Sequence, residues 1–329
     1  MTGYVGAAIT RALFHTDHEL IGLVRQKDDL PEEVLDKYKI VKADISRSVP
    51  KIECDLVIHC AAWVSEKVLA VIMNKTNVEG TRRVLDATPP QTPVIHLSSG
   101  SVYNLTEVPH VETDSIAPKL LTPYGRSKYL AEQIVINEYT DRKRVIIRPR
   151  AVYGRGDKVI LPRLLSIYKD GRFKVPGDLN QTASMTHIDL LVDVVLRYID
   201  IVTATSHPLL PDNLDILNVA DFQSYNLHEN ITGLFSKLFK RDIEVKSMNE
   251  ALVRLVAGMR QVLVPGNQYT QTSIDYLTRD HVLNTDKLQS LFPDLQSRHF
   301  LEIIPEYVQW IHSVGLSNIS ARDKRIVWM

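Results

Sequence analysis

Val94-Ile95-His96-Leu97-Ser98-Ser99-Gly100-Ser101-Val102-Tyr103 reads as a short apolar strand that ends in a serine-rich turn. A helical pattern follows at 123–139, and 143–148 is a second short run rich in Val and Ile. Strands of this composition have both faces covered. Working outward, similar runs occupy 19–25, 39–43 and 55–60, and a late one lies at 215–219. Helical patterns at 7–14 and 66–87 fall between them. Such alternation predicts an α/β fold built on a doubly wound parallel sheet with right-handed crossovers. Beyond residue 152 the regularity falls. Residues 161–169, 190–202, 228–239, 249–264 and 300–312 read as helices, separated by segments holding Pro and Gly.

Composition narrows the function classes. With 329 residues, 44% of them hydrophobic, the chain can bury one large core or two smaller ones. Its 39 basic residues balance 39 acidic ones, so no basic excess points to nucleic acid or a membrane surface. Two cysteines, Cys54 and Cys60, make a disulfide framework an unsuitable reading and fit a reducing, cytoplasmic compartment. No apolar run reaches the roughly 18 residues a membrane span needs, and the first residues carry no charged-then-apolar leader pattern. Asn104-Leu105-Thr106 matches a glycosylation sequon, which we read as chance. The histidines show no metal-ligand spacing, so no metal is expected.

The first residues are Met1-Thr2-Gly3-Tyr4-Val5-Gly6. A dinucleotide fold needs a strand, a Gly-rich turn and a helix whose N-terminus faces the pyrophosphate. Gly3, Tyr4, Val5 and Gly6 suit that turn, with 7–14 as the helix; the plainer reading is a turn and nothing more. The next strand ends Leu23-Val24-Arg25. An acidic residue there would bond the ribose of NAD, whereas a guanidinium suits a 2′-phosphate, so NADP is preferred to NAD. Asp44-Ile45 follows the run at 39–43, where a carboxylate can accept a bond from the adenine amino group, and His59-Cys60-Ala61-Ala62 closes the run at 55–60. Small residues at Cys60, Ala61 and Ala62 let the backbone approach a cofactor. On this reading 1–152 is a dinucleotide-binding domain to which 183–224 returns, while 153–182 and 225–329 form a substrate lobe.

Thr122-Pro123-Tyr124-Gly125-Arg126-Ser127-Lys128 opens a helix, with Thr122 as N-cap and Pro123 as first helical residue. Tyr124 and Lys128 lie four apart and share a face. A phenol titrates near pH 10 when unperturbed. A nearby ammonium and a cationic nicotinamide would lower that value and let Tyr124 exchange a proton with an alcohol or ketone. A hydroxyl from the serine turn can bond the reacting oxygen; Ser99 is the choice, with Ser98 and Ser101 as alternatives.

Taken in order, Gly3-Tyr4-Val5-Gly6, Asp44-Ile45, His59-Cys60-Ala61-Ala62, Asn77-Val78-Glu79-Gly80-Thr81, Leu97-Ser98-Ser99, Tyr124-Gly125-Arg126-Ser127-Lys128 and Val152-Tyr153-Gly154 resemble the extended short-chain dehydrogenase/reductase family, also called the NAD-dependent epimerase/dehydratase family. The resemblance covers about the first half of the chain. It implies Ser99 as the oxyanion-positioning hydroxyl, Tyr124 as acid/base and Lys128 as its partner, with Asn77, Tyr124 and Lys128 also on the cofactor side. It further implies a homodimer in which the helices carrying Asn77 and Tyr124 pair. The family's turn reads G-x-x-G-x-x-G. If Gly3 were first, the third would fall on Ile9, so Gly3 and Gly6 match the second and third. The expectation is therefore a chain that lacks the first strand and first glycine as given, leaving that strand's two neighbours unpaired.

Within the family, Gly100 and Ser101 stand where sugar-nucleotide dehydratases carry an Asp-Glu pair, and Ala151 where epimerases carry Asn. Arg148-Pro149-Arg150-Ala151-Val152-Tyr153-Gly154-Arg155-Gly156-Asp157 with His187-Ile188-Asp189 looks more like the 3β-hydroxysteroid dehydrogenase branch. That implies an apolar substrate interconverted between secondary alcohol and ketone. Arg150, Arg155 and His187 are candidate substrate contacts, and the apolar helix at 252–259 a candidate pocket cap. The competing readings are a sugar-nucleotide epimerase and a non-catalytic NADP-sensing binding protein.

Overall fold

The protein is described from a computed structural model, which covers residues 1–27, 29–64, 70–104, 108–204, 210–263 and 271–329. The chain opens with α1 (Tyr4–Ala12), then β1 (Ile21–Val24), α2 (Glu32–Lys37), β2 (Lys39–Lys42) and β3 (Val57–His59). Next come α3 (Ala70–Asn77), α4 (Glu79–Asp86), β4 (Val94–Leu97), α5 (Pro123–Glu138) and β5 (Arg144–Pro149). Every residue of β4 and β5 is buried, as their continuous apolar runs require. These two strands pair in parallel, with β3 on the far side of β4. The helix α5 starts where its sequence dictates: Thr122 Oγ1 accepts from the Gly125 amide at 3.0 Å and Pro123 occupies the first turn.

The later part adds short strands around the strand ends: β6 (Val152–Tyr153), α6 (Ile160–Ile167), β7 (Tyr168–Lys169), β8 (Arg172–Pro176), β9 (Thr182–Ala183) and β10 (Thr186–His187). The buried helix α7 (Ile188–Thr203) precedes β11 (Leu214–Val219), which joins the main sheet in parallel beside β5. After β12 (Tyr225–Asn226) and α8 (Leu227–Phe239), β13 (Glu244–Met248) pairs with β8 in a separate three-stranded sheet whose other edge is β7. Helices α9 (Glu250–Leu263), α10 (Gln271–Thr278), α11 (Asp286–Leu291) and α12 (Phe300–Val314) follow, and α12 packs its buried face into the main core.

Two differences from the sequence reading have physical reasons. The first helix begins at Tyr4 rather than Ala7, because Gly3 is extended and serves as its cap. The pattern at 66–87 is two helices, broken at Val78; its start, 65–69, lies outside the described residues. The sequon's Leu105 and Thr106, and the side chain of Met259 in the expected cap, also lie outside them. The parallel sheet is present but divided, in the order β11-β5-β4-β3 and, apart from it, β1-β2. Neither β1 nor β3 has a partner on its second edge among the described residues.

The main sheet is fastened to α5 by a buried ion pair. Arg148 of β5 donates to both carboxylate oxygens of Glu132, at 3.0 and 2.7 Å, and to the Tyr103 hydroxyl at 2.9 Å. Glu132 is 0% and Arg148 3% exposed. Removing one partner strands the other's charge in an apolar interior. We expect Arg148→Met to lose about 3–5 kcal/mol of unfolding free energy, read by urea titration; a loss below about 1 kcal/mol would show the pair to be dispensable.

Candidate active site

One cavity of about 2040 Å³ runs along the carboxyl ends of the strands and into the space between β1 and β3. Ligands bind at this end of parallel sheets because loops and helix N-termini converge there. At one end of the cavity the helix α1 begins. Its first internal bond is from the Ala7 amide to Gly3 O, at 2.8 Å, so the amides of Tyr4, Val5 and Gly6 have no partner inside the helix. Gly3, Tyr4, Val5 and Gly6 all line the cavity, as do Cys60, Ala61 and Ala62 opposite them. Free amides at a helix start, faced by small side chains, suit a pyrophosphate. The Tyr4 ring itself is buried, and its hydroxyl lacks a partner among the described residues.

Toward β1 and β2 the lining includes Arg25, Asp44 and Ile45. Arg25 stacks its guanidinium 5.9 Å from the Trp63 ring. The Ser46 hydroxyl, then the Ser46 amide that donates to Asp44 at 2.9 Å, and nearby Arg25 and Arg47 hold the Asp44 carboxyl below the usual range. Asn77 sits elsewhere than expected. It does not line the cavity, and its side chain bonds both backbone groups of Trp63, at 2.6 and 3.1 Å, and Ser127 at 2.9 Å. It thereby ties the segment after β3 to the helix that carries Tyr124 and Lys128.

The structure brings Ser99, Tyr124 and Lys128 to the same cavity. Gly125 makes this possible, since a Cβ there would run into the Ser101 carbonyl oxygen, and the helix α5 could not approach the serine turn. The Ser99 hydroxyl accepts from the Ser101 amide at 3.1 Å, and its proximity to Tyr124 favours the phenolate. Ser98 is buried with its hydroxyl unpartnered, and Ser101 reaches Tyr276 at 3.3 Å instead. Lys128 is 1% exposed. Its ammonium donates to Leu97 O at 2.5 Å and lies 3.4 Å from His96 Nε2.

Burial sets the titration of this group. The Lys128 ammonium is pushed down to about 8 by desolvation. Tyr124 is pushed up to about 12 by burial, against the Ser99 hydrogen bond and the positive charge of Arg163. The expected lowering calls on a cationic nicotinamide as well as an ammonium; among the chain's own groups Lys128 is engaged by Leu97 and His96, and desolvation of the phenolate outweighs the charges near it. The imidazole of His59 is pushed down to about 3 and that of His96 well below its usual value, so both are neutral. His96 Nε2 then accepts from Lys128, which puts the ring proton on Nδ1.

Sequence reasoning missed His96 beneath Lys128, and it missed Tyr276 and His281. His96 lies in an unbroken apolar run. Tyr276 and His281 come from α10 and the segment after it, far along the chain and without a motif. Among the described residues no cluster of His, Cys, Asp or Glu could hold a metal, and both cysteines are free.

The model of the NAD dependent epimerase/dehydratase family matches residues 1–210. A decarboxylating sterol-4-alpha-carboxylate 3-dehydrogenase of Candida albicans is 26% identical over 46% of this chain and 45% of its own. A 2-alkyl-3-oxoalkanoate reductase of Stenotrophomonas maltophilia is 27% identical over 57% of this chain and 59% of its own. The chain thus spans less than two thirds of either relative. Among solved structures, MoeE5 in complex with UDP-glucuronic acid and NAD superposes with a TM-score of 0.70 at 17% identity, over 95% of this chain and 97% of that one. That likeness concerns the fold.

The titration carries a stability consequence. Lys128 binds its proton less tightly folded, near 8, than unfolded, near 10.5. Between those values the unfolded chain holds more protons, so this residue's contribution to stability rises with pH across the window. Lys128→Met removes the dependence. Its stability relative to the parent should be greatest at pH 7 and shrink steadily toward pH 10 in urea titrations at each pH. A flat difference would contradict the buried ammonium.

Proposed function

The chain belongs to the NAD-dependent epimerase/dehydratase family, and from that premise we propose that it is an NAD(P)-dependent oxidoreductase interconverting a secondary alcohol and a ketone. The observation that carries this reading is the convergence of Ser99, Tyr124 and Lys128 on the wall of one cavity. A bound nicotinamide supplies or accepts the hydride. Everything else falls to the chain. Ser99 holds the reacting oxygen against Tyr124. The Tyr124 hydroxyl gives its proton to that oxygen in reduction and takes it back in oxidation. Lys128, protonated below about pH 8, supplies the positive charge that makes a transient phenolate tolerable. The amides of Tyr4, Val5 and Gly6 would cradle the pyrophosphate, and Ala61 and Ala62 let the cofactor lie close.

The relatives' names favour an apolar substrate: one acts on a sterol carboxylate, the other on an alkyl oxoalkanoate. Ala151 speaks against a sugar-nucleotide epimerase. It occupies the left-handed region at φ 45° and offers no side-chain polar group to a diphosphate. Arg25 at the end of β1 favours NADP over NAD. We place the enzyme in the cytoplasm, on the strength of its two free cysteines.

Tyr124→Phe should cut kcat by about 10²–10⁴ with either NADPH or NADH. Full turnover by that variant on a confirmed ketone would sink the assignment. NADPH should give the higher kcat/KM, and Arg25→Ala should level the two. We also propose a homodimer joined through α3 and α5. Val71 and Ile72 on α3 are 74% and 44% exposed, an apolar surface suited to a helix partner. Sedimentation equilibrium should return twice the chain mass, and Val71→Glu should return one.

A further inference from the structure

Arg150 follows directly on β5, where the strand ends at the cavity. Thr186 fixes its backbone, accepting from the Arg150 amide at 3.0 Å and donating to its carbonyl at 2.8 Å. The side chain packs against Gly100, the residue after Ser99. Its guanidinium lies 5.0 Å from the Tyr276 ring centre, and the Tyr276 hydroxyl meets Ser101. The His281 ring stands 5.1 Å from the same tyrosine and is neutral, pushed down to about 3 by burial and by the Arg150 charge.

What sets Arg150 apart is that its guanidinium has no acceptor of any kind among the described residues. Arg148 is matched by Glu132, and Arg142 and Arg144 spend their donors on carbonyls and Thr88. Among the described residues the Arg150 guanidinium has no hydrogen bond and no carboxylate, and burial pushes its pKa down with only Tyr276 opposing. A fixed, partly desolvated guanidinium facing a cavity costs stability unless something in that cavity answers it.

We propose that Arg150 is a substrate-anchoring residue, and that the substrate carries a carboxylate close to the carbon bearing the reacting oxygen. The inference rests on the alcohol–ketone reading above. The guanidinium fork matches a carboxylate in two parallel hydrogen bonds. Tyr276 holds the fork flat from one side, and Gly100 leaves it room beside the serine turn. The anchored acid then places the neighbouring oxygen against Ser99 and Tyr124, so charge recognition and proton transfer occur on one short turn.

The test uses the full chain loaded with NADP, and two probes differing in a single charge, 3-oxodecanoate and its methyl ester. Binding is measured by calorimetry for the NADP-loaded parent, Arg150→Gln and Arg150→Lys, and hydride transfer to each probe by the loss of reduced-nicotinamide absorbance with NADPH in place of NADP. The parent should bind the acid about 10–100-fold more tightly than the ester, the worth of a charge-assisted pair. Arg150→Gln should reduce that ratio to near one, and Arg150→Lys should recover part of it. Unchanged affinity for NADP shows that the variants remain folded. Equal binding of acid and ester by the parent, including no measurable binding of either, overturns the proposal. So does a ratio that survives in Arg150→Gln. UDP binding that depends on Arg150, with acid and ester equal, replaces the carboxylate by a diphosphate. Charge-selective binding with no hydride transfer to either probe keeps the anchor and removes the alcohol–ketone reading; hydride transfer to both without charge selection does the reverse.

Discussion

The fork between Arg148 and Glu132 is the constraint on which the site depends. It joins the centre of the main sheet to the middle of α5, one turn beyond Lys128. An ion pair so deeply buried returns little net stability, because both charges were better hydrated in water. What it contributes is position. Two parallel hydrogen bonds allow one rotation and one height of the helix on the sheet. Tyr103 extends the fork to the serine turn and, through Asn218, to β11. The turn holding Ser99 and the helix holding Tyr124 and Lys128 are therefore set against each other by one polar network.

Within that frame, desolvation governs the chemistry. The same apolar surroundings pull the Lys128 ammonium down to about 8 and push the Tyr124 phenol up to about 12. In each case the neutral form gains. Two neutral imidazoles, His96 and His59, lie with ring centres 5.3 Å apart and planes tilted by 35°, with His96 against the lysine. They provide an acceptor without adding a competing charge. The serine hydroxyl on Tyr124 acts in the opposite direction, favouring the phenolate, so the group is poised by opposing effects of similar kind.

Much of this was legible in the sequence because local rules and tertiary demands agree there. The buried strands announce themselves as unbroken Val and Ile runs, and Thr122-Pro123 marks the start of α5 to the residue. Legibility ended where a residue's role depends on a distant partner. Nothing near Asn77 discloses that its amide would be consumed by Trp63 and Ser127. Glu132 reads as one more acidic position on a helix until β5 delivers Arg148 to it. Tyr276 and His281 reach the cavity from a region without periodic strands, and Arg172–Pro176 pairs in parallel with Glu244–Met248 across some 70 intervening residues, a separation no local pattern encodes. The single helix read at 66–87 failed for a smaller reason: its apolar spacing continues through Val78 while the backbone turns there.

The divided sheet has a thermodynamic consequence. Arg25 and Asp44 belong to the β1–β2 pair, whereas Ser99, Tyr124 and Lys128 belong to the four-stranded sheet. No ladder of backbone hydrogen bonds joins the two among the described residues. A ligand that reached from one group to the other would bridge the two sheets and so stabilise their arrangement. Folding and ligand occupancy become a single linked equilibrium, in which each tenfold rise of free ligand above its dissociation constant adds about 1.4 kcal/mol to the folded state. For a chain so divided, stability would be a property of the ligand supply as much as of the sequence.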